Sequence, residues 1–335
     1  MVKVGVPQAL FYYQYYPAFR AFFEELGAET VVSTQTTNET QTLGASRVVA
    51  DTCLPVKVFL GHVLSLAGEC DYIFIPVIRS IKPKVYNCSK FLGLPDMTRA
   101  VIPESPPILE IEIDMNRGKG ELYRAIYWLV HKFNLNPFRI RQAAKAALKA
   151  HSGYLKLMQY NGLTPPEAIA GIPGVQDIKP ATATRIQPET GPVIALIGHP
   201  YLLYDEYINH RIIHNLEKMG ARVRTPEMLS HGELEIAITR LVGKAYWTYE
   251  SEVVGAGGHY LESGVDGVIG LMAFGCGPDS VMMDMVAGRS SRLKSAPFMC
   301  LTLEEHQSPA GILTRLEAFL DMVQLRKQKR AEVCV

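Results

Sequence analysis

Three of the six cysteines stand where a fold of alternating strands and helices places ligand-binding groups. Cys53 (ADTCLP) precedes a predicted helix, Cys88 (YNCSKF) follows an apolar segment, and Cys276 (FGCGPDS) joins another apolar segment to a helix. A helix N-terminus favours the thiolate, which binds metals and attacks substrates. Gly275 and Gly277 would let the backbone approach a bulky group. Metal ligation, nucleophilic chemistry and simple burial stay open for each thiol, since no CxxC pair decides among them.

The other three cysteines have simpler expected roles. Cys70 ends a predicted helix and Cys300 lies inside the apolar segment APFMCLTL, so both are predicted to pack in the core. Cys334 is the penultimate residue of a polar tail that is predicted to be disordered.

Two turns carry candidate acid–base groups. His199 (GHPYLLYD) follows the predicted strand VIALI, where it would either contact a ligand or cap the strand end by bonding to backbone. Glu304, Glu305 and His306 follow the last predicted strand and could act as acid, base or partner contact. A solvated turn is the alternative, and Glu304 suits it best. The candidate catalytic residues are therefore His199, Glu305 and His306.

Several familiar motifs are missing. GAGGH at 255–259 has no GK[ST] after it and follows a helix-like stretch, so it does not predict a phosphate loop. The sequence contains no HExxH and no GxSxG, which leaves zinc and serine hydrolysis without support. An aromatic run after the first strand would either line a pocket or docking surface, or pack into the core. It comprises Phe11, Tyr12, Tyr13, Tyr15 and Tyr16.

Alternating strands and helices must position these groups. The predicted strands are VKVGV, ETVVS, DYIFIPV and PILEIEID in the first half, and VIALI, ARVRTP, DGVIGL and APFMCLTL in the second. This pattern predicts an α/β protein with two doubly wound, parallel-sheet lobes of the Rossmann or flavodoxin type. We predict a first lobe at 1–135, a helical segment and linker at 136–190, and a second lobe at 191–335. Thr52 is predicted to cap the helix that follows Cys53.

Composition limits the classes of partner. The 335 residues suit two domains, and 48% hydrophobic with 20% charged residues indicates a folded chain. A net charge of +1 favours neither nucleic acid nor an anionic membrane. No apolar run reaches the ~20 residues of a membrane span, and the start MVKVGVPQALF does not resemble a signal peptide. We therefore expect a soluble, cytoplasmic protein with reduced cysteines.

Six segments resemble the acyl-CoA dehydratase activase-related proteins, a branch of the 2-hydroxyacyl-CoA dehydratase (D-component) superfamily. They are TCLPVKVFLGHV, DYIFIPVIRS, CSKFLGLPDM, GHPYLLYDEYIN, VDGVIGLMAFGCGPDS and LEEHQSPAGILTRLEAF. The segments occur in the family's order and span nearly the whole chain. One departure is Ser89, because the family often has proline directly after the cysteine that matches Cys88.

The resemblance implies a cofactor and a function. It implies one 4Fe-4S cluster held by Cys53, Cys88 and Cys276 at the seam between the lobes, with one iron open to another ligand; a double-cubane 8Fe-9S cluster using more cysteines is the alternative. The implied protein is a reductase or dehydratase-like component of anaerobic metabolism, for which a homodimer and a heterodimer both stay open. It would receive low-potential electrons from a separate ATP-dependent activase of the actin/Hsp70 type and act on a small, CoA-linked substrate. A non-catalytic electron-transfer or regulatory iron–sulfur protein stays open.

Overall fold

The computed structural model describes residues 1–131, 137–172, 188–293 and 296–333. The chain packs as two units, Met1–Leu157 with Tyr246–Thr248 (unit 1) and Met158–Ala245 with Tyr249–Val335 (unit 2). Much of the predicted linker, residues 173–187, lies outside the described residues, and the predicted lobe boundaries stay a prediction.

Unit 1 contains a four-stranded parallel sheet in the order β2-β1-β3-β4. Its strands are β1 (Lys3–Val6), β2 (Glu29–Val32), β3 (Tyr72–Ser80) and β4 (Ile108–Asp114). Its helices are α1 (Tyr12–Glu25), α2 (Asn38–Ala45), α3 (Leu54–Ser65), α4 (Ser89–Leu92), α5 (Leu94–Val101), α6 (Lys119–His131) and α7 (Pro137–Asn161), whose last residues belong to unit 2.

Unit 2 contains a second four-stranded parallel sheet in the order β6-β5-β7-β8. Its strands are β5 (Val193–Ile197), β6 (Arg222–Arg224), β7 (Gly267–Ala273) and β8 (Phe298–Leu303). Its helices are α8 (Pro165–Ala170), α9 (Pro200–Leu203), α10 (Ile212–Lys218), α11 (His231–Val242), α12 (Ala256–Glu262), α13 (Gly277–Leu293) and α14 (Pro309–Val333). A π-helical turn, Ser251–Gly255, leads into α12, so the GAGGH sequence is largely helical.

The two sheets confirm the predicted α/β fold class with two doubly wound, parallel lobes. In each sheet the second strand along the chain lies on one side of the first strand, and the third lies on its other side. This reversal opens a crevice at the carboxyl ends of the two central strands, which are β1 and β3 in unit 1 and β5 and β7 in unit 2. Ligands of doubly wound folds bind in that crevice.

The aromatic run after β1 belongs to the core of unit 1. Phe11, Tyr12, Tyr13 and Tyr16 are each less than a tenth exposed. Burial raises the pKa of Tyr12 well above its usual value, and the neighbouring tyrosines add to the shift. The structure therefore supports core packing for these four residues over a pocket lining or docking surface, whereas Tyr15 is only partly buried.

Helix α3 is set in place by close contact with α2. A Cβ on Gly44 of α2 would lie 1.8 Å from the backbone oxygen of Lys57, and a Cβ on Gly61 of α3 would lie 1.9 Å from that of Thr40. Because only hydrogen fits at these two points, the backbones of the helices touch. This contact fixes the position of Cys53, the N-cap residue of α3.

Candidate functional site

Cys276 lies in the turn that joins β7 to α13. Its N–H donates to the carbonyl of Ala273, the last residue of β7, at 3.1 Å. Gly275 has φ = 77°, a left-handed conformation that glycine adopts without strain. A Cβ on Gly277 would meet no atom within 4 Å, so there is open space at the residue after Cys276. The turn thus places Cys276 at the carboxyl edge of the sheet, with room at the neighbouring Gly277.

A buried histidine–aspartate pair occupies the same edge. His199, which follows β5 and caps α9, is 3% exposed, and Asp279 in the first turn of α13 is fully buried. Nδ1 of His199 lies 2.5 Å from Oδ1 of Asp279, although the angles are not those of a well-aligned hydrogen bond. Oδ2 of Asp279 accepts a hydrogen bond from the Ala273 N–H at 2.9 Å. Sequence reasoning singled out His199 but missed Asp279.

Two tyrosines and one glycine hold the His199 ring. Tyr201 stacks on it with ring centroids 5.0 Å apart and planes 8° apart, and Tyr249 meets it edge-on at 4.8 Å. Gly198 has φ = 158°, and a Cβ there would lie 2.9 Å from the Leu271 carbonyl. Glycine therefore lets the turn after β5 approach β7 closely, which brings His199 to Asp279.

The candidates Glu305 and His306 lie beyond β8. The carbonyl of Leu303 at the end of β8 accepts a hydrogen bond from the Phe274 N–H at 2.8 Å, so this segment begins beside the Cys276 turn. Glu304 and His306 are exposed, whereas Glu305 is partly buried. His199 follows β5, which β7 separates from β8. His199, Glu305 and His306 thus follow strands at the same edge of the sheet, but β5 and β8 are not neighbouring strands. Their catalytic roles stay predictions.

In unit 1, Cys53 is the buried N-cap residue of α3. Its carbonyl accepts the N–H groups of Val56 and Lys57 at 3.1 and 3.3 Å, so the helix starts after Cys53, and the predicted cap at Thr52 is wrong. The side chain of Lys57, 4% exposed, donates from Nζ to the Ala50 carbonyl at 2.8 Å. A buried positive charge in the first turn makes this end of α3 favourable for an anionic group.

Cys88 caps the short helix α4 and is partly buried. Its N–H donates to Oδ1 of the neighbouring Asn87 at 3.3 Å, and the Asn87 N–H donates to the Arg79 carbonyl at 2.9 Å. Nδ2 of Asn87 is buried and meets no hydrogen-bond partner among the described residues. An unpaired buried donor costs ~1–3 kcal/mol, so this amide suits an acceptor on a ligand beside Cys88.

Comparison with known proteins places the chain in a family. The family model "CoA enzyme activase uncharacterised domain" (DUF2229) matches residues 3–229. The chain belongs to this CoA enzyme activase family. A search of curated proteins finds no significant match. The family assignment confirms the resemblance to activase-related proteins, and its matched range includes Cys53, Cys88 and His199 but ends before Cys276.

The residues of this family member fit an iron–sulfur cofactor in three respects. Each predicted cysteine directly precedes a helix, an unpaired amide donor adjoins Cys88, and open space adjoins Cys276 at Gly277. The predicted set takes two thiols from unit 1 and one from unit 2. Within either unit, no three His, Cys, Asp or Glu side chains of the described residues are placed to hold one metal ion.

The remaining cysteines differ from one another. Cys70 packs against β1, because a Cβ on Gly5 would lie 2.6 Å from its Sγ, and burial raises the pKa of its thiol. Its expected packing role is thus supported. Cys300 is exposed on β8, so the prediction that it packs in the core is wrong. Cys334 lies outside the described residues.

A second buried histidine, His62 of α3, escaped the sequence prediction. Its Nδ1 and Nε2 each lie 2.9 Å from a hydroxyl, that of Ser33 and that of Thr36. Ser33 Oγ also accepts the Gln8 N–H at 2.8 Å. Complete burial lowers the pKa of His62 to about 3, so the ring stays neutral and ties α3 to the ends of β1 and β2.

No helix of the described chain is long and apolar enough to cross a membrane.

Proposed function

We propose that this member of the CoA enzyme activase family is an iron–sulfur component that holds one 4Fe-4S cluster through Cys53, Cys88 and Cys276. In this proposal a separate ATP-dependent activase of the actin/Hsp70 type supplies low-potential electrons for reductive or radical chemistry on a small, CoA-linked substrate. The observation that carries the proposal is the shared placement of the three thiols. Each directly precedes a helix, and none is engaged in a disulfide within the described chain.

The surrounding residues have separate roles in this proposal. A bound cluster would supply one-electron transfer and an iron site for an oxygen ligand. Asn87 Nδ2 would donate a hydrogen bond to a sulfur near Cys88, and the Lys57 ammonium group would offset negative charge near Cys53. His199 would face the ligand at the edge of unit 2, while Glu305 and His306 would contribute acid–base groups or partner contacts.

The test is iron and sulfide analysis of anaerobically purified full-length protein. We expect Cys53→Ala, Cys88→Ala and Cys276→Ala each to lose most of the iron and the visible absorbance, because a cluster lacking one of three thiolates releases iron. Cys300→Ala is the matched control, since it removes an exposed thiol outside the set and should leave iron content unchanged.

Two results would change this conclusion. Wild-type iron in all three single variants would refute the ligand set. Twice the iron of a single cluster in the wild-type protein, with loss of iron in Cys70→Ala or Cys300→Ala, would favour the double-cubane alternative.

A further inference from the structure

The buried pair His199 and Asp279 connects to the Cys276 turn through a short series of contacts. Asp279 Oδ1 lies 2.5 Å from His199 Nδ1, and its Oδ2 accepts the N–H of Ala273. The Ala273 carbonyl in turn accepts the N–H of Cys276. The histidine, the aspartate and the predicted ligand turn therefore form one connected unit at the edge of β5 and β7.

The contact with Asp279 favours hydrogen on one ring nitrogen. An ionised carboxylate only accepts hydrogen bonds, so Asp279 in that form, with Oδ1 2.5 Å from His199 Nδ1, favours hydrogen on Nδ1, although the angles in the structure are not those of a well-aligned hydrogen bond. In a neutral imidazole the other nitrogen, Nε2, then keeps its lone pair. The stacked Tyr201 and the edge-on Tyr249 limit rotation of the ring.

We infer that Asp279 is a positioning residue that holds His199 as the Nδ1–H tautomer, so that Nε2 accepts a hydrogen bond from a hydroxyl or N–H group bound beside Cys276. The role of that bound group rests on the proposed function, whereas the tautomer is a property of the chain itself. The ligand class that follows is a hydrogen-bond donor, such as a hydroxyl-bearing substrate, rather than a bare carbonyl oxygen.

The isosteric substitution Asp279→Asn gives a sharp test, because Ala273 dictates how the new amide must point. The Ala273 N–H requires an acceptor at the position of Oδ2, so the carbonyl oxygen of the new side-chain amide must take that place. The amide NH₂ then faces His199, whose Nδ1 must become the acceptor. We expect the ring proton to move to Nε2, which inverts the tautomer with little change in shape.

The first measurement is ¹⁵N–¹H correlation of the histidine rings in full-length protein, with His199→Gln identifying the His199 signals. We expect Nδ1–H in the wild type and Nε2–H in Asp279→Asn. The matched control is Asp284→Asn, the same change at an exposed position of α13, which should keep the wild-type pattern. A wild-type ring with hydrogen on Nε2, or on both nitrogens, would overturn the inference, as would an unchanged tautomer in Asp279→Asn.

The second measurement separates a ligand-facing role from a purely structural one. In iron-loaded protein, we expect Asp279→Asn and His199→Gln to shift the electron paramagnetic resonance spectrum of the reduced cluster at unchanged iron content, and Asp284→Asn to leave it unchanged. Full iron content with unchanged spectra in all variants would overturn the inference and leave Asp279 as a structural link. Absence of iron from the wild-type protein would instead refute the proposed function, and with it any role of Nε2 toward the cluster.

Discussion

The contact between α2 and α3 predicts that Gly44→Ala destabilises unit 1. The new Cβ would lie 1.8 Å from the Lys57 backbone oxygen and 2.7 Å from the Gly61 nitrogen. The first separation is roughly 1.5 Å short of van der Waals contact, and backbone cannot move aside as a side chain can. Overpacking of this kind costs about 3 kcal/mol, the upper part of its usual range.

An opposing effect reduces this cost without reversing it. Alanine favours the helical conformation over glycine by about 1 kcal/mol. The net loss should therefore be about 2 kcal/mol of unfolding free energy. For a unit of this size that corresponds to a fall of about 4–8 °C in the midpoint of its thermal transition. Differential scanning calorimetry is the suitable assay, because two units can give two transitions.

Gly153→Ala in α7 is the matched control. A Cβ there would meet no atom within 4 Å, so only the helix preference acts, and the variant should gain about 1 kcal/mol. The reasoning requires the two variants to shift in opposite directions. If Gly44→Ala stabilised the protein as Gly153→Ala is expected to do, α2 and α3 would not be in backbone contact. The position of Cys53 at the start of α3 would then not be fixed by α2.

The remaining predictions concern pH, a turn and the electron donor. The pKa of His62 is about 3 in the folded chain and about 6.5 unfolded, so its contribution to stability is complete above pH ~6.5 and falls by about 1.4 kcal/mol per unit as the pH drops toward 3. Urea titrations should show this slope in the wild type and in His231→Gln, an exposed control, but a shallower slope in His62→Gln. Gly275→Ala should lower the free energy of unfolding by about 1–2 kcal/mol, because φ = 77° strains a residue with a side chain. Gly277→Ala should leave it unchanged, since a Cβ there meets no atom, and chemical unfolding of the two variants checks the difference. Cluster reduction, followed spectroscopically, should require both activase and ATP; equally fast reduction without them would favour the simple electron carrier.

The strands show where hydrophobic patterning succeeds and where it stops. β5 was predicted with its observed bounds, because a buried parallel strand is a continuous apolar run and Pro192 and Gly198 flank it. β3 was predicted to end at Val77 but continues to Ser80. There the strand carries Arg79, whose Nε lies 2.8 Å from Glu112 of β4, and an ion pair between strands leaves no apolar signal in the sequence.

Helix α2 was missed for a related reason. Its sequence NETQTLGA is polar and lacks an apolar stripe. It is held instead by the capping box of Thr37 and Thr40 and by the backbone contact at Gly44 and Gly61. The sequence features that could have predicted α2 are the capping residues and the two glycines. The glycines indicate a close helix contact only once α3 is known to pack against α2.

The candidate site was predictable where the residue type itself suggests a chemical role. Cys276 and His199 are residue types that bind metals or transfer protons, each follows a predicted strand, and both lie at the predicted sheet edge. Asp279 gave no such signal, because an acidic residue in the first turn of a helix ordinarily faces solvent. Its burial depends on β5 and β7 being neighbours, although Asp279 lies 80 positions after His199 in the chain. That adjacency belongs to the folded sheet and not to local sequence.

Cys276 is the residue on which the proposed function depends most. The family match covers residues 3–229, so family membership bears on the segments of Cys53 and Cys88 but not on that of Cys276. Support for Cys276 comes from the turn itself: the left-handed Gly275, the open space at Gly277 and the bond to Ala273. If Cys276→Ala kept its iron while Cys53→Ala and Cys88→Ala lost theirs, the cofactor would belong to unit 1 alone. The His199–Asp279 pair would then serve chemistry apart from it. Loss of iron in all three variants would instead support the predicted set of three cysteine ligands.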